Sequence, residues 1–539
     1  MKKKATLFAF ALVLTLSLIT GNAAENYDYD VAIRGGTLYL GGFEMGGTGD
    51  IAISGDRIVA VGKAPGRAAK EIDASGMIVS PGFIDLHTHT EYIYQLAKGL
   101  LNTRSIKANM NYITQGVTTV VSGNCGAGYS SPEEISAWLD RIDRMPFGTN
   151  VIHLVPHGDI RLMAMGEGQA DREDPAPTPE ELESMKELVR QGMEAGAYGM
   201  STGLEYDPGA RADTDELVEL AKVVAELGGV YTSHTRQEGP DPDKMMASYG
   251  EAIEVGERAG LPVQISHIKC SGKTVHGMSD QVIKLVKKAR ERGVKVFADQ
   301  YPYPAGSTTL SRMVPVKYRD REKVMDRYCT KEGRKIIYDD VARVLEDELP
   351  PETVLVSLAP FSPWNQNKTL DQIAGDRDPV EVAIDLACGP VGVGIYFSQN
   401  EEDVKNFMKE DWVATGSDGA TFHKWLRYTH PRFYGTFPRK IREYVYEEKV
   451  ITLPHALRSM TELPAEAWDI KERGKLEAGG YADVVVFDPD TIRDNATFEK
   501  PTVFSDGIEY LLVNGVITIS GGKYTGDRGG RAIRLIDTQ

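Results

Sequence analysis

Hydrophobic and polar positions alternate in two different ways along this chain. Short apolar runs broken by glycine and aspartate predict β-strands at both ends, as in YDVAIRGGTLYLGG near the start and YADVVVFDP and IEYLLVNGVITISGGKY near the end. Between the ends, apolar strand-like runs are followed by amphipathic helical patterns such as TDELVELAKVVAELGG and SDQVIKLVKKARERG. The ends and the middle are therefore expected to fold as different units.

The strand-then-helix pattern of the middle recurs about eight times along the chain, which favours a parallel (β/α)8 barrel. An open doubly wound sheet is the competing arrangement, although no glycine-rich dinucleotide fingerprint follows the first strand. We predict an α/β fold with a TIM-type barrel over residues 81–469. Residues 24–80 and 470–539 are predicted to form one small β-sandwich.

The regular pattern fails between about Ser307 and Tyr396, where the spacing is too long for one strand–helix connection. We predict that residues 317–363 form an inserted subdomain late in the barrel. This subdomain could fold over the barrel mouth.

The first residues have the pattern of a secretory signal peptide. Three lysines precede an apolar stretch from about Ala5 to Ile19, and small residues follow at Gly21 and Ala23. A retained membrane anchor is the alternative, but the stretch is short for a membrane span. We predict removal of residues 1–23, export to the periplasm or the medium, and no membrane association afterwards.

Composition narrows the class of partner. Hydrophobic residues make up 41 % of the chain and charged residues 26 %, which is ordinary for a soluble enzyme. The formal net charge is −17, and removal of the three lysines makes it −17 − 3 = −20. No basic stripe stands out against this acidity, so a small-molecule substrate is expected rather than nucleic acid.

Side chains able to bind a metal stand where the predicted barrel strands end. Active sites of such barrels lie at the carboxyl ends of the strands, and residues two apart in a strand share a face. Imidazole, thiolate and carboxylate together suit zinc better than calcium or magnesium. We predict a zinc site rather than polar residues that merely meet solvent. The residues are His87 and His89 at the first strand, Cys125 at the second, His234 at the fifth, His267 at the sixth and Asp418 at the eighth.

The four cysteines have different neighbours. Cys125 could pair with Cys270 in a disulfide or bind the metal as a thiolate. The glycines of GNCG allow the backbone to bend around an ion, which favours the ligand. Cys329 and Cys388 are interpreted as free or structural residues.

Several motifs together resemble one family. They are PGFIDLHTHTE, TTVVSGNCG, GMSTGLEYDPG, SHTRQEG, QISHIKCSG, DQYPYPAGST, GSDG, HPRFYGTFPR and GKLEAGGYADVVVFDPDTI. From about Tyr27 to about Arg528 the chain resembles the N-acyl-D-amino-acid deacylases (D-aminoacylases) of the amidohydrolase superfamily. The HxH pair and the late aspartate indicate only the superfamily, whereas GNCG, SHTR and HPRFYGTFPR are more specific to this branch.

The resemblance implies how the metal ligands are divided. One zinc ion would be held tightly by Cys125, His234 and His267. A weaker second site would use His87 and His89 and share Cys125, which takes the place of the carboxylated lysine of related enzymes. The family often has an acidic residue directly after HTH, whereas this chain has Thr90 there, followed by Glu91.

The implied reaction is hydrolysis of the amide bond of an N-acyl-D-amino acid, which gives a carboxylate and a free D-amino acid. Zinc would acidify water and polarise the carbonyl, while Asp418 would accept a proton and return it to the leaving amine. Capping of the turn in SDG is the structural alternative for Asp418. Tyr206, Lys269 and Arg432 match the family's clamp for the substrate α-carboxylate, and Arg312 could meet an acidic substrate side chain.

Other functions are compatible with the same predicted zinc site and aspartate. Hydrolysis of a cyclic amide, as in dihydropyrimidinase or hydantoinase-like relatives, would need the same zinc and aspartate, but the carboxylate clamp favours an acyl-amino acid. Dipeptidase-like cleavage of X-D-amino-acid dipeptides also breaks an amide bond beside a carboxylate. A non-catalytic scaffold on this fold is expected to lack ligands or the base, and all of them are present in this sequence.

Overall fold

The computed structural model describes residues 27–92, 104–166, 168, 172, 174–319, 327–389, 392–421 and 429–537. The predicted signal peptide, residues 1–23, lies outside the described residues, as does the stretch 320–326 of the predicted insertion. None of the helices in the described ranges is both long and apolar enough to cross a membrane.

The strands are named in chain order. They are β1 (Tyr29–Leu38), β2 (Thr48–Ser54), β3 (Arg57–Gly62), β4 (Ala68–Asp73), β5 (Ile78–Pro81), β6 (Phe83–Asp85), β7 (Val117–Ser122), β8 (Asn150–His153), β9 (Val155–Pro156), β10 (Gly199–Gly203), β11 (Val230–His234), β12 (Val263–Ile265), β13 (Val296–Gln300), β14 (Gly306–Thr309), β15 (Val354–Leu358), β16 (Lys368–Thr369), β17 (Val393–Tyr396), β18 (Val413–Thr415), β19 (Val484–Phe487), β20 (Ile508–Val513), β21 (Val516–Ser520) and β22 (Lys523–Tyr524).

The α-helices are named in the same way. They are α1 (Arg104–Lys107), α2 (Met110–Ile113), α3 (Pro132–Arg144), α4 (His157–Met165), α5 (Pro179–Glu194), α6 (Thr214–Glu226), α7 (Pro242–Ala259), α8 (Ser279–Glu291), α9 (Lys331–Asp347), α10 (Leu370–Ala374), α11 (Pro379–Ala387), α12 (Glu401–Met408), α13 (Arg432–Arg439), α14 (Leu453–Met460) and α15 (Glu462–Trp468). A π-helix, Lys440–Glu447, follows α13 directly.

The middle of the chain is a (β/α)8 barrel, which confirms the predicted fold class. Parallel strands run in the orders β6-β7-β8 and β9-β10-β11-β12-β13-β18. Only Leu154 separates β8 from β9, so together they are the third of eight barrel strands. The first and eighth meet where the His89 amide donates to the Gly419 carbonyl, 2.7 Å away. These strands are buried on both faces, as apolar runs covered by helices should be.

Both chain ends build one further sheet, as predicted. Its strand order is β22-β21-β20-β19-β5-β1-β2-β3, with β4 also paired to β1. Val31 and Ile51 from its N-terminal part share a core with Val484 and Leu512 from its C-terminal part. The two chain ends therefore form one sheet around a shared core, the unit that was predicted as a small β-sandwich.

A third sheet interrupts the barrel between its seventh and eighth strands. It has the order β14-β17-β15-β16, is antiparallel, and carries α9, α10 and α11 against its own hydrophobic core. The sheet spans residues 306–396 and so extends beyond the predicted range 317–363 on both sides. We call residues 306–396 the insert. A disulfide between Cys329 and Cys388 links the segment before α9 to the end of α11.

The stability of the protein should depend on pH because of Lys440, a buried lysine behind the eighth barrel strand. Lys440 is buried, and its Nζ donates to the hydroxyls of Thr415 and Ser459, both at 2.9 Å. Burial lowers the pKa of Lys440 from 10.5 to about 7. Between pH 7 and 10 the unfolded chain therefore binds more protons than the folded one, so this group's contribution to stability rises with pH by about 1.4 kcal/mol per pH unit.

We expect Lys440→Met to remove this dependence. The quantity to compare is the melting temperature of the variant minus that of the wild type. This difference should be larger at pH 7 than at pH 9, because only the wild type gains stability from this group as the pH rises. Calorimetric scans at both values measure the difference. The same difference at pH 7 and pH 9 would contradict a lowered pKa for Lys440.

Candidate active site

The predicted metal ligands meet at the carboxyl ends of the barrel strands. Four groups of side chains among the described residues have ligand atoms that all lie within 4.8 Å of one another. Two of them are His87 with His267 and Asp418, and His234 with Glu205 and Glu238. The other two contain Cys125, one with His234 and His267 and one with His87 and His89. The Cys125 Sγ lies 3.3 Å from His87 Nε2 and 3.7 Å from His267 Nε2. The last two groups therefore overlap at Cys125.

The backbone at three of these positions is unusual. Cys125, His267 and Asp418 have φ values of 56°, 36° and 47°, in the left-handed region that residues other than glycine seldom adopt, although aspartate and histidine adopt it more often than most. Such conformations cost free energy and concentrate at functional sites. Close approach adds a constraint, because a Cβ at Gly203 would lie 2.1 Å from the carbonyl oxygen of Cys125. The turn at Cys125 is therefore fixed by its fourth-strand neighbour.

The donor set fits a zinc ion. Cys125 and Cys270 are free thiols, so Cys125 is not half of a disulfide. The Nδ1 atoms of His89 and His234 are buried without a hydrogen-bond partner among the described residues. Burial raises the pKa of the Cys125 thiol well above its usual value, and without a bound cation the neutral thiol is favoured. Unpartnered imidazole nitrogens beside a buried sulfur are the arrangement that a metal would complete.

Asp418 lies between the histidines and a guanidinium. Its Oδ1 is 3.2 Å from His89 Nε2 and 3.7 Å from His87 Nε2, and its Oδ2 is 2.9 Å from Arg432 Nη2. Burial by itself would raise the pKa of this carboxyl, but Arg432 and His87 hold it well below its ordinary value. Asp418 is therefore an ionised carboxylate that can accept a proton.

The residues predicted to bind the substrate carboxylate lie on two sides of the site. Arg432 and Lys269 are both buried beside the ring of Tyr301, with the Arg432 Cζ 4.5 Å and the Lys269 Nζ 6.0 Å from the ring centroid. Arg432 Nη1 is buried without a partner among the described residues. Tyr206 instead lies beside His234, with ring centroids 4.8 Å apart, and its hydroxyl is 3.2 Å from Thr308 Oγ1.

Lys269 stays charged in its buried position. Its Nζ donates to Glu238 Oε1 at 2.6 Å. Burial by itself would lower the pKa of Lys269, but Glu238 raises it above its ordinary value. The site therefore keeps two buried cations, Lys269 and Arg432, beside Tyr301.

Four further residues at the site were not selected from the sequence. Three carboxylates contact the histidines: Asp299 Oδ2 at 3.2 Å from His87 Nδ1, Glu238 Oε1 at 3.0 Å from His267 Nδ1, and Glu205 Oε2 at 3.1 Å from His234 Nε2. The fourth residue is Tyr301 itself. All four stand within the sequence motifs quoted above. They could have been selected as acidic or phenolic residues that stand near a predicted ligand at a buried strand end.

Arg312 does not present a free charge to the site. Its Nη1 is 2.8 Å from Glu205 Oε1, and its Nη2 forms an ion pair with Glu348. Two carboxylates thus already neutralise the guanidinium that was expected to meet an acidic substrate side chain.

Comparison with known proteins identifies the family. The family model described as "Amidohydrolase family" matches residues 70–328 and 397–519. D-aminoacylase of Alcaligenes xylosoxydans xylosoxydans is 33 % identical over 531 residues, which cover 95 % of this chain and 98 % of that protein. The chain belongs to the amidohydrolase family, in its D-aminoacylase branch. It is accordingly an enzyme, a metal-dependent hydrolase of linear amides.

Two other relatives cover nearly the whole of this amidohydrolase. N-acyl-D-glutamate deacylase of the same organism is 35 % identical over 510 residues, covering 90 % of this chain and 93 % of that protein. The crystal structure of N-acyl-D-glutamate deacylase from Bordetella bronchiseptica, complexed with zinc and a phosphonate inhibitor, matches with a TM-score of 0.77. That match has 32 % identity and covers 94 % of this chain and 99 % of the other.

Proposed function

We propose that this amidohydrolase uses zinc to hydrolyse N-acyl-D-amino acids to a carboxylate and a free D-amino acid. The observation that carries the proposal is the position of Asp418, whose carboxylate contacts His89 on one side and Arg432 on the other. A proton acceptor, a metal-binding group and a guanidinium suited to a carboxylate therefore meet at one point. The relatives' deacylase activities support the acyl-D-amino acid as the substrate class.

Cys125, His234 and His267 would hold the zinc ion tightly, and His87 and His89 would form a weaker second site that shares Cys125. When bound, zinc supplies Lewis-acid chemistry, acidifying water and polarising an amide carbonyl. Asp418 takes a proton from water as the water oxygen adds to the carbonyl carbon. It then delivers that proton to the nitrogen as the carbon–nitrogen bond breaks.

The two buried cations orient the substrate. Arg432 and Lys269 flank Tyr301 and would bind the α-carboxylate, while the Tyr206 hydroxyl would act from the side of His234. Because Arg432 also contacts Asp418, the carboxylate is bound directly beside the proton acceptor. Once the amide and the carboxylate are both fixed, the α-carbon has only two directions left for its side chain. One enantiomer must then fit better than the other.

We expect amine release from N-acetyl-D-amino acids to be at least about tenfold faster than from their L-enantiomers. Misplacing one charge-assisted contact costs roughly 1.5–3 kcal/mol, and each 1.4 kcal/mol is about tenfold in rate. The assay uses matched N-acetyl-D and N-acetyl-L pairs, with hydantoins and X-D-amino-acid dipeptides included. Tyr206→Phe, which removes only a hydroxyl, is the matched variant and should mainly raise KM.

Equal rates for both enantiomers, or a preference for L, would contradict the proposal. Faster hydrolysis of hydantoins would assign the site to cyclic amides instead. Faster release from dipeptides than from acetylated substrates would keep the chemistry but change the acyl group to an aminoacyl group.

A further inference from the structure

We infer that Glu205 is a positioning residue that orients His234 for zinc, and that the insert holds Glu205 in place. This inference rests on the proposed metal site. The contact is His234 Nε2 to Glu205 Oε2, at 3.1 Å between two buried side chains. The other ring nitrogen, His234 Nδ1, is buried and has no partner among the described residues.

The Glu205 contact selects one form of the imidazole. A carboxylate can only accept, so the His234 proton resides on Nε2 and the lone pair on Nδ1. Nδ1 is then the nitrogen of His234 that is left free to bind a metal, and His234 belongs to the group with Cys125 and His267. Carboxylates that bond the outer nitrogen of a ligating histidine fix its orientation and raise its basicity.

A related arrangement is present at the other histidine of the proposed tight site. His267 Nδ1 lies 3.0 Å from Glu238 Oε1 but also 2.7 Å from Lys269 Nζ, and its Nε2 lies 3.7 Å from Cys125 Sγ. The outer nitrogen of each of these two imidazoles therefore contacts a buried glutamate. The two glutamates differ in the side chains that keep them in place.

Two arginines from the stretch after β14 hold Glu205. Its Oε1 lies 2.8 Å from Arg312 Nη1 and 3.0 Å from Arg319 Nη1. Since Oε2 accepts from His234, both carboxylate oxygens are bonded. A buried carboxylate would be strongly destabilising without such partners, and two guanidinium groups restrict it to one orientation.

The chain of contacts continues into the insert. Arg312 also pairs with Glu348, directly after α9, and Thr308 in β14 meets the Tyr206 hydroxyl next to Glu205. Glu348 touches Arg312 but is not among the contacts of His234. A substitution at Glu348 therefore separates two effects: it removes an ion pair of the insert but leaves the carboxylate that contacts His234 in place.

The test measures zinc affinity rather than turnover. Purified zinc-loaded protein is titrated with a chromophoric chelator, and the zinc released gives the Kd of wild type, Glu205→Ala, Glu205→Gln and Glu348→Gln. We expect Glu205→Ala to raise the Kd about 10–100-fold, as loss of such a partner does elsewhere. Glu205→Gln should lose less, because its amide oxygen can still accept from His234. Glu348→Gln, the matched control, should stay close to the wild type.

Three results would overturn the inference. They are an unchanged Kd in Glu205→Ala, no recovery in Glu205→Gln relative to alanine, and an equal loss in Glu348→Gln. The last result would show that zinc binding depends on the ion pairs of the insert and not on the carboxylate that contacts His234. If Glu205→Ala does not fold, Glu205→Gln and Glu348→Gln still decide, because only the former should raise the Kd. A wild type that binds no zinc would instead contradict the proposed metal site.

Discussion

Asp418→Asn is expected to keep its zinc and to lose about 10²–10⁴-fold in kcat, the usual effect of removing a general acid–base group. The amide has the shape of the carboxylate but does not take a proton from water at neutral pH. The loss falls at the upper end if one residue carries both proton transfers. KM should also change, because Arg432 loses the carboxylate it now contacts at 2.9 Å.

The measurement is steady-state turnover of an N-acetyl-D-amino acid, with zinc content determined on the same samples. Asp494→Asn is the matched control, since Asp494 is a largely buried carboxylate beside Arg439 and belongs to none of the groups of described residues that could hold a metal. That variant should retain wild-type turnover. A zinc-replete Asp418→Asn enzyme with near-normal kcat would remove Asp418 from the mechanism.

Cys125→Ala is expected to lose zinc. Because Cys125 belongs to the groups of ligand atoms of both proposed zinc sites, its removal damages the tight site and the weaker one together. Loss of a direct ligand should weaken binding by more than the roughly 10–100-fold that follows from removing an outer partner. Elemental analysis after dialysis and the chelator titration measure the change.

Cys270→Ala is the matched control for this experiment. Cys270 is the other free cysteine, is buried, and is absent from the groups that could hold a metal among the described residues. It should keep full zinc. Full zinc with an unchanged Kd in Cys125→Ala would show that the thiol is not a ligand.

The site residues that could be predicted from the sequence are those that stand at the carboxyl ends of the barrel strands. His87 and His89 follow the first barrel strand, His234 ends the fifth, and Asp418 closely follows the eighth. In a parallel barrel the carboxyl ends of all strands point to one face, so a chemical group at each end is enough to predict convergence. The sheet shared by both termini was predicted from a different signal, the β-rich patterns at both ends of the chain.

Contacts that depend on side-chain direction could not be predicted. Glu205 and Tyr206 are neighbours in sequence, yet Glu205 bonds His234 and the arginines while Tyr206 reaches Thr308. The disulfide partners Cys329 and Cys388 are 59 residues apart, and their pairing depends on how α9 and α11 pack. Periodicity reports which residues are buried, but not which of them meet across the insert.

The pairing of β5 with β19 joins two parts of the chain that are about 400 residues apart in sequence. Ser80 lies opposite Val485 in that pair, and β5 leads within two residues into the first barrel strand. Until residues 484–487 are in place, one edge of β5 has no partner strand, and an open strand edge is a template for pairing with other chains. Contacts between such distant residues form slowly, because the intervening chain must first be brought together. The length of chain between β5 and β19 therefore lengthens the time for which a folding molecule exposes that edge, wherever it folds.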